Sequence, residues 1–127
     1  MNVVIDTNRY RDFCASIPEA ISVFRKADRI YLPFVVLAEL RAGFAVGKRG
    51  RENERILNLF LNRRRVSLLF PDEATTFHYA RLFCQLRQQG TPIPAHDLWI
   101  AALVVQHWLF LYSRDVHFDR LPQIPRL

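Results

Sequence analysis

The sequence predicts an α/β fold: a single domain over residues 1–127, with a central parallel sheet of four to five strands and helices on both faces. Two observations lead to this prediction. Short apolar runs alternate along the chain with longer segments of helical apolar periodicity, which is typical of a parallel sheet. The length of 127 residues is enough for one domain whose hydrophobic core is stable without disulfides or structural metals.

The first strand is predicted at residues 3–5, where three β-branched apolar residues indicate a strand buried on both faces. A carboxylate, a hydroxyl and an amide follow directly, at Asp6, Thr7 and Asn8. Ligands bind at the carboxyl ends of strands in open α/β sheets, so Asp6 is a candidate site residue. The alternative is that Asp6 only caps the helix that follows.

The next two elements are a helix and a short strand. A capping-box motif at residues 16–19 predicts a helix over residues 18–27, and residues 30–32 predict the second strand. Glu39 then stands out in a helical segment, because its neighbours in the same turn are apolar. It is either a site residue or the partner of an arginine such as Arg41 at the helix surface.

A basic segment follows. Between residues 48 and 65 seven side chains are Lys or Arg and two are Glu, and apolar residues at helical spacing make this segment an amphipathic helix. The whole chain has 18 basic and 12 acidic residues, a net charge of +6, and all but two of the basic residues are Arg. Arg binds phosphate in a bidentate manner, which favours a polyanionic partner; a solvated face with local ion pairs is the alternative.

A third strand is predicted at residues 66–70, followed by a long helix that Asp72 caps and Gly90 ends. A proline-rich connector leads to an apolar helix over residues 98–107. Asp97 lies in the first turn of that helix, where the helix macrodipole favours a negative charge. Capping is again the alternative to a role in a site.

The fourth strand, residues 109–112, also runs into polar residues, here Ser113 and Asp115, and residues 117–127 are predicted as an extended strap. The most apolar stretch, residues 98–112, is too short to span a membrane, so we expect no membrane segment.

Two cysteines, Cys14 and Cys84, lie far apart among apolar neighbours and lack metal-ligand spacing. They are predicted to be reduced core thiols. With no signal-peptide pattern in the sequence, this favours the cytoplasm.

Four acids therefore follow strands or begin helices at one rim of the predicted sheet: Asp6, Glu39, Asp97 and Asp115. We expect them to converge. Carboxylates that share a cleft raise one another's pKa unless a cation neutralises them, and oxygen ligands suit Mg²⁺ or Mn²⁺. Such an ion orients a water and stabilises charge on a phosphodiester. The candidates for orienting the carboxylates are Thr7, Asn8 and Ser113.

The motifs around these acids resemble the four motifs of the PIN-domain ribonucleases. They are Val-Val-Ile-Asp-Thr-Asn at 3–8, Leu-Ala-Glu-Leu-Arg-Ala-Gly at 37–43, Ile-Pro-Ala-His-Asp-Leu-Trp-Ile-Ala-Ala at 93–102 and Ser-Arg-Asp-Val-His-Phe at 113–118. Their order and the chain length are most similar to the VapC-type toxins of type II toxin–antitoxin pairs.

The resemblance implies a single PIN-like domain and an Mg²⁺- or Mn²⁺-dependent endoribonuclease that forms a homodimer and is inhibited by a cognate VapB-type antitoxin. It assigns metal binding and catalysis to Asp6, Glu39 and Asp97, and a more variable fourth acid to Asp115. Ser113 falls on the Thr or Ser that precedes this fourth acid. Three arginines within or beside the motifs are the candidates for contact with RNA: Arg9, Arg41 and Arg114.

Two other functions stay open at this point. The first is a catalytically silent RNA-binding or regulatory module on the same fold, because fold does not determine function. The second is phosphoryl transfer with Asp6 as the nucleophile. Known enzymes of that class have a second Asp two residues later, and this sequence has Asn8 there.

Overall fold

The computed structural model describes residues 1–127, and its strands and helices alternate along the chain. The strands are β1 (Asn2–Ile5), β2 (Arg29–Pro33), β3 (Val66–Leu69) and β4 (Phe110–Tyr112). The helices are α1 (Thr7–Cys14), α2 (Pro18–Lys26), α3 (Phe34–Val46), α4 (Gly50–Leu61), α5 (Glu73–Gln89), α6 (Ala95–His107) and a 3₁₀ helix (Val116–Arg120).

The four strands form one parallel sheet in the order β3-β2-β1-β4. In the centre, Val4 of β1 pairs with Tyr31 of β2 on one side and with Leu111 of β4 on the other. The chain runs from β1 to β3 in one direction and then crosses back to place β4 beside β1. The carboxyl ends of β1 and β4 therefore meet at the point where the strand order reverses, which is where open α/β sheets bind ligands.

The reversal of strand order also decides on which face of the sheet each helix lies. Connections between parallel strands are right-handed, so the change of direction puts α5 and α6 on the face opposite α1 to α4. The predicted α/β class, with a parallel sheet and helices on both faces, is confirmed. The sheet has four strands, the lower number of the predicted range.

The core is built on β1 and α6. Val3, Val4 and Ile5 are 1%, 0% and 0% exposed, as expected of a strand covered on both faces. Helix α6 buries Leu98 and all of residues 100–104, because it packs against α5 and these residues belong to the same hydrophobic core as the strands. Burying one such aliphatic side chain contributes about 1.5–3 kcal/mol, so these two elements hold the site residues at their ends in place.

Helix α5 begins and ends as predicted. Asp72 accepts a hydrogen bond from the Thr75 backbone N–H, and the Thr75 hydroxyl accepts one from the Asp72 N–H, which completes a capping box. Gly90 ends the helix in the left-handed region, with φ of 71°, where a residue without a side chain is least strained. Gln106 of α6 donates to Asp72 Oδ1 at 2.8 Å and so fixes α6 against this helix start.

Three local predictions are wrong. The capping box at residues 16–19 does not form: α2 starts after Ile17, which makes no side-chain cap, and Ser16 has a positive φ of 58°. The tail is not extended throughout, because the 3₁₀ helix forms first. Cys14 and Cys84 are free as predicted but exposed, because each lies on the solvent side of its helix instead of in the core.

The basic segment is helical and amphipathic, as predicted: Leu57 and Phe60 of α4 are buried, and most of its remaining residues are exposed. The ion pairs expected of a solvated face are present, since Arg55 pairs with Glu52 and Arg41 of α3 pairs with Glu54. The arginines at 63–65 precede β3 and therefore lie at the amino end of the sheet, away from the carboxyl ends of β1 and β4. None of the helices combines the length and the apolar character that crossing a membrane requires.

Candidate functional site

A polar cavity lies at the carboxyl end of the sheet. It has a volume of about 140 Å³, and all eight residues that line it are polar or charged. They are Asp6, Thr7, Asn8, Arg11, Glu39, His96, Asp97 and Asp115. The four acids singled out from the sequence thus share one cavity, although they come from four different segments of the chain.

Asp6 caps a helix and also lines the cavity. It follows β1, is 5% exposed and begins α1, with Oδ1 accepting a hydrogen bond of 2.8 Å from the Thr7 backbone N–H. Its other oxygen, Oδ2, accepts a hydrogen bond of 2.7 Å from the Ser113 hydroxyl. The two interpretations of Asp6 that the sequence left open are therefore compatible, because one carboxylate has two oxygens.

Ser113, Asn8 and Asp115 connect the ends of β4 and β1. The Ser113 hydroxyl, besides donating to Asp6, accepts a hydrogen bond of 3.0 Å from the Asp115 backbone N–H. Asn8 Nδ2 is 3.5 Å from both Asp6 Oδ2 and Ser113 Oγ, and Asn8 Oδ1 accepts from the Arg114 backbone N–H at 3.1 Å. Ser113 and Asn8 thus orient the acids of two neighbouring strands.

The Thr7 side chain does not orient a carboxylate, although the sequence made it a candidate. Thr7 is 4% exposed, and its hydroxyl has no hydrogen-bond partner in the protein. Only its backbone N–H contacts Asp6. An unpartnered buried hydroxyl costs about 1–3 kcal/mol, so this group in the cavity wall is available to a ligand or a water.

The carboxylate of Asp97 lies in an environment that disfavours its negative charge. It lies in the first turn of α6 and is 6% exposed. Burial raises the pKa of Asp97 above its ordinary value; a hydrogen bond to His117 opposes this, and the charges of Asp115 and Asp6 raise the pKa further. Such a carboxylate gains from a nearby cation, because a cation compensates the charge that burial and the neighbouring acids disfavour.

His117 stands between two of the acids. Its Nδ1 lies 2.7 Å from Asp97 Oδ2 and 3.1 Å from Asp115 Oδ1. One ligand atom from each of these three residues lies within 4.8 Å of the others, a spacing at which they can share an ion. His117 stands in the sequence motif at 113–118, but the spacing of the four histidines fits no zinc pattern, so no role in a metal site was predicted for it.

Glu39 and His96 form the more open wall of the cavity. Glu39 Oε2 is 3.0 Å from His96 Nε2, but the two are not aligned for a hydrogen bond, and the Glu39 side chain is 45% exposed. Arg41, the alternative partner of Glu39, instead makes two hydrogen bonds to Glu54. The surface ion pair suggested for Glu39 is therefore absent.

The arginines proposed for RNA contact are all engaged within the protein. Arg9 is only 12% exposed, pairs with Asp12 and stacks over the Tyr112 ring at 4.2 Å. Arg114 also pairs with Asp12, and Arg41 pairs with Glu54. The arginine in the cavity wall is Arg11, which the sequence reasoning missed. Its signal was the spacing of four residues from Thr7, which puts both on one face of α1.

The donor set of the cavity fits a hard divalent cation. Four carboxylates supply oxygens, the buried Thr7 hydroxyl is unpartnered, and burial, together with the charges of Asp115 and Asp6, raises the pKa of Asp97. The arrangement can therefore hold Mg²⁺ or Mn²⁺, with Arg11 beside it to bind an anionic substrate such as a phosphate.

Comparison with known proteins gives a consistent result. The sequence matches the PIN domain family over residues 2–124. It is 38% identical over 109 residues to ribonuclease VapC1 of Haemophilus influenzae strain R2866, covering 85% of this chain and 80% of that protein. It is 29% identical over 105 residues to ribonuclease VapC2 of Rickettsia felis, covering 82% of this chain and 77% of the relative.

Two solved structures have closely similar folds. VapBC-1 from nontypeable Haemophilus influenzae superimposes with a TM-score of 0.86 at 28% identity, covering 100% of this chain and 97% of the other. VapBC2 from Rickettsia felis, bound to a DNA fragment from their promoter, superimposes with a TM-score of 0.85 at 26% identity, covering 100% and 98%.

Proposed function

The chain belongs to the PIN-domain family, and from this membership we propose that it is a metal-dependent endoribonuclease, the toxin of a VapBC-type pair that acts on RNA in the cytoplasm. The observation that carries the proposal is the convergence of Asp6, Glu39, Asp97 and Asp115 on one polar cavity. A protein that only bound RNA would have no need for four carboxylates, which repel phosphate.

We propose that Asp6 and Asp97 hold the ion, with Glu39 and Asp115 completing the set directly or through water. Mg²⁺ is the expected ion and Mn²⁺ the alternative. When bound, such an ion supplies positive charge to the phosphodiester and activates a water for hydrolysis. The repulsion between the carboxylates makes the cavity specific for a cation. Once a cation is bound, its charge offsets that of the carboxylates, and the cavity is then compatible with the RNA backbone.

The protein's own groups position these carboxylates. Ser113 donates to Asp6, so one oxygen of this acid is fixed and its orientation in the cavity is set before any ligand arrives. The N-terminal turn of α6 favours the ionised form of Asp97 against the effect of burial. Arg11 lies in the same wall and binds the scissile phosphate or its neighbour.

An antitoxin site is proposed next to this cavity. A groove of about 460 Å³ lies between α1, α3 and α4, and its apolar wall includes Leu40, Phe44 and Ile56. Arg11 lines both the groove and the acidic cavity, so the two are contiguous. A peptide segment in the groove would therefore reach the acids. Two related structures are complexes named VapBC, which supports a VapB-type partner here.

A homodimer is also proposed, on the family resemblance and on exposed aromatic surface. Phe77 and Phe83 of α5 are 66% and 50% exposed, and exposed aromatic side chains on one helix are typical of an association surface. Sedimentation equilibrium of the isolated protein tests this, and a monomer at micromolar concentration would contradict it.

The proposed activity is tested by incubating the protein with total RNA and Mg²⁺ and mapping the cut ends. The wild type should cleave, and EDTA or Asp97→Asn should abolish cleavage. Asp28→Asn is the matched control, because Asp28 is an exposed acid that pairs with the N-terminus, away from the cavity. If Asp97→Asn folds and still cleaves, the assignment is wrong; if the wild type binds RNA without cutting it, the silent-module alternative is favoured.

A further inference from the structure

The ring of His117 is the one nitrogen group that contacts two of the cavity's acids. Its Nδ1 lies 2.7 Å from Asp97 Oδ2 and 3.1 Å from Asp115 Oδ1. The residue is held in place by its own backbone, since the His117 N–H donates to Asp115 Oδ1 at 2.9 Å. The following residue, Phe118, is fully buried and anchors the 3₁₀ helix. The ring therefore has a fixed position beside the acids.

The two distances match the geometry of a shared ion. In an octahedral site with metal–ligand distances of about 2.1 Å, adjacent ligand atoms lie about 3.0 Å apart. The contacts from His117 to Asp97 and to Asp115 fall on either side of this value. A ligand atom from each of the three residues also lies within 4.8 Å of the others, so the three residues form a group that could hold a metal ion.

A second observation indicates that this end of the sheet is built for a ligand. The Thr7 hydroxyl is buried, has no partner and lines the cavity that Asp97 and Asp115 also line. Thr7 is 4% exposed, so bulk water does not readily compensate this group. An ion with its ordered waters would satisfy it.

We propose that His117 is a nitrogen ligand of the ion held by Asp97 and Asp115, and that its imidazole makes the site prefer Mn²⁺ to Mg²⁺. Carboxylates and water bind both ions, whereas imidazole favours transition metals over Mg²⁺. Ligation requires the lone pair of Nδ1, so the ring then carries its proton on Nε2. The inference rests on the proposed metal-dependent function and specifies which metal that function uses.

The competing interpretation is that His117 only positions the carboxylates. In that case Nδ1 keeps its proton, donates to Asp97 and stays outside the coordination sphere. The two roles differ in a spectroscopic property: a directly bound imidazole nitrogen couples to the electron spin of Mn²⁺, and a ring that only hydrogen-bonds to a carboxylate ligand does not show this direct coupling.

The test is pulsed electron paramagnetic resonance of the full chain loaded with Mn²⁺. The wild type should show nitrogen modulation, His117→Gln should lose it, and His107→Gln should keep it. His107 is the matched control because it lies ten residues along α6 from Asp97, about 15 Å away. Calorimetric titration should show roughly a tenfold smaller preference for Mn²⁺ over Mg²⁺ in His117→Gln than in the wild type.

Each other outcome overturns the proposal in an identifiable way. Mn²⁺ binding and metal-dependent cleavage without nitrogen modulation would refute the role of His117 and leave the nuclease function intact. Modulation that persists in His117→Gln and disappears in His96→Gln would assign the nitrogen to His96. Absence of Mn²⁺ binding in the wild type would contradict the proposed function itself. If His117→Gln does not fold, His96→Gln decides: modulation that persists in this variant supports His117 as the ligand, and its loss assigns the nitrogen to His96.

Discussion

The Ser113 hydroxyl donates a hydrogen bond of 2.7 Å to Asp6 Oδ2, across a sequence separation of 107 residues. Ser113 is the residue after β4 and Asp6 is the residue after β1. Since β1 and β4 are adjacent strands, this contact joins their carboxyl ends. Because Ser113 also accepts from the Asp115 backbone N–H, a single hydroxyl orients two of the four acids. The geometry of the cavity therefore depends on a residue that is not among those that line it.

Ser113→Ala is expected to reduce kcat/KM for RNA cleavage by roughly 10- to 100-fold, the usual effect of removing a group that orients a metal ligand. Ser113→Thr keeps the hydroxyl and should retain most of the activity. Cleavage rates at saturating metal measure both variants. Equal rates for wild type and Ser113→Ala would show that Asp6 needs no such orientation.

Asp97→Asn should abolish cleavage yet raise the melting temperature of the metal-free protein at neutral pH. Burial raises the pKa of Asp97, so the folded state binds its proton more tightly than the unfolded state does. Asp97 therefore destabilises the fold above its raised pKa, and this effect disappears as the pH falls below the ordinary value for Asp. Thermal melts in EDTA between pH 3 and pH 8 check this, because the advantage of Asp97→Asn should shrink towards acidic pH. A variant less stable than wild type at neutral pH contradicts it.

Divalent ions should stabilise the protein in a concentration-dependent manner. An ion at 100 times its Kd contributes about 2.7 kcal/mol, which raises the melting temperature of a domain of this size by roughly 10 °C. Glu39→Gln should weaken this response, whereas Glu73→Gln, an exposed acid in the first turn of α5, should not. A melting temperature that does not change with Mn²⁺ or Mg²⁺ argues against any metal site.

Arg11→Gln should raise KM for RNA by about tenfold with a smaller effect on kcat, and should lower the salt dependence of binding by about 0.7 in the log–log slope. The expectation follows from its place in the cavity wall. Arg25→Gln is the control, because Arg25 lies in the last turn of α2, near the amino end of the sheet. Equal effects of the two changes would indicate a diffuse electrostatic contribution in place of a specific contact.

Ile56→Glu should prevent binding of the antitoxin and leave RNA cleavage unchanged, because a charge in the apolar groove is costly to bury. Leu59→Glu is a matched control on the same helix: Leu59 is 59% exposed and does not line the groove. Co-expression with the cognate antitoxin and a pull-down measure both. Retained binding by Ile56→Glu would place the antitoxin elsewhere.

The strand-end acids could be predicted from sequence because a parallel sheet brings the carboxyl ends of its strands to one edge. Asp6 follows β1 directly, Asp115 lies three residues after the end of β4, and Asp97 lies in the first turn of a helix at the same rim. These placements follow from local pattern and fold class alone. The sequence shows only that Glu39 lies among apolar residues of a helix. That its side chain faces the cavity is known from the structure.

The remaining site residues depend on tertiary contacts that no local pattern encodes. His117 reaches Asp97 because the chain after β4 turns into a 3₁₀ helix, where an extended strap was predicted. Arg9 was expected to contact RNA, but Asp12 and the Tyr112 ring occupy its guanidinium. A long charged side chain pairs with whichever group the fold brings within its reach. The role of an arginine is therefore difficult to assign from sequence.

The order of strands in the sheet has a consequence for synthesis on the ribosome. Strand β1 is translated first and its neighbour β4 last. The hydrogen bond between Asp6 and Ser113 can therefore form only after 107 further residues have been added, which takes roughly 5 to 20 s at ordinary elongation rates. A nascent chain therefore carries an incomplete set of acids for nearly the whole of translation. The ribosome, itself made of RNA, is not exposed to an assembled nuclease until the chain has emerged past β4.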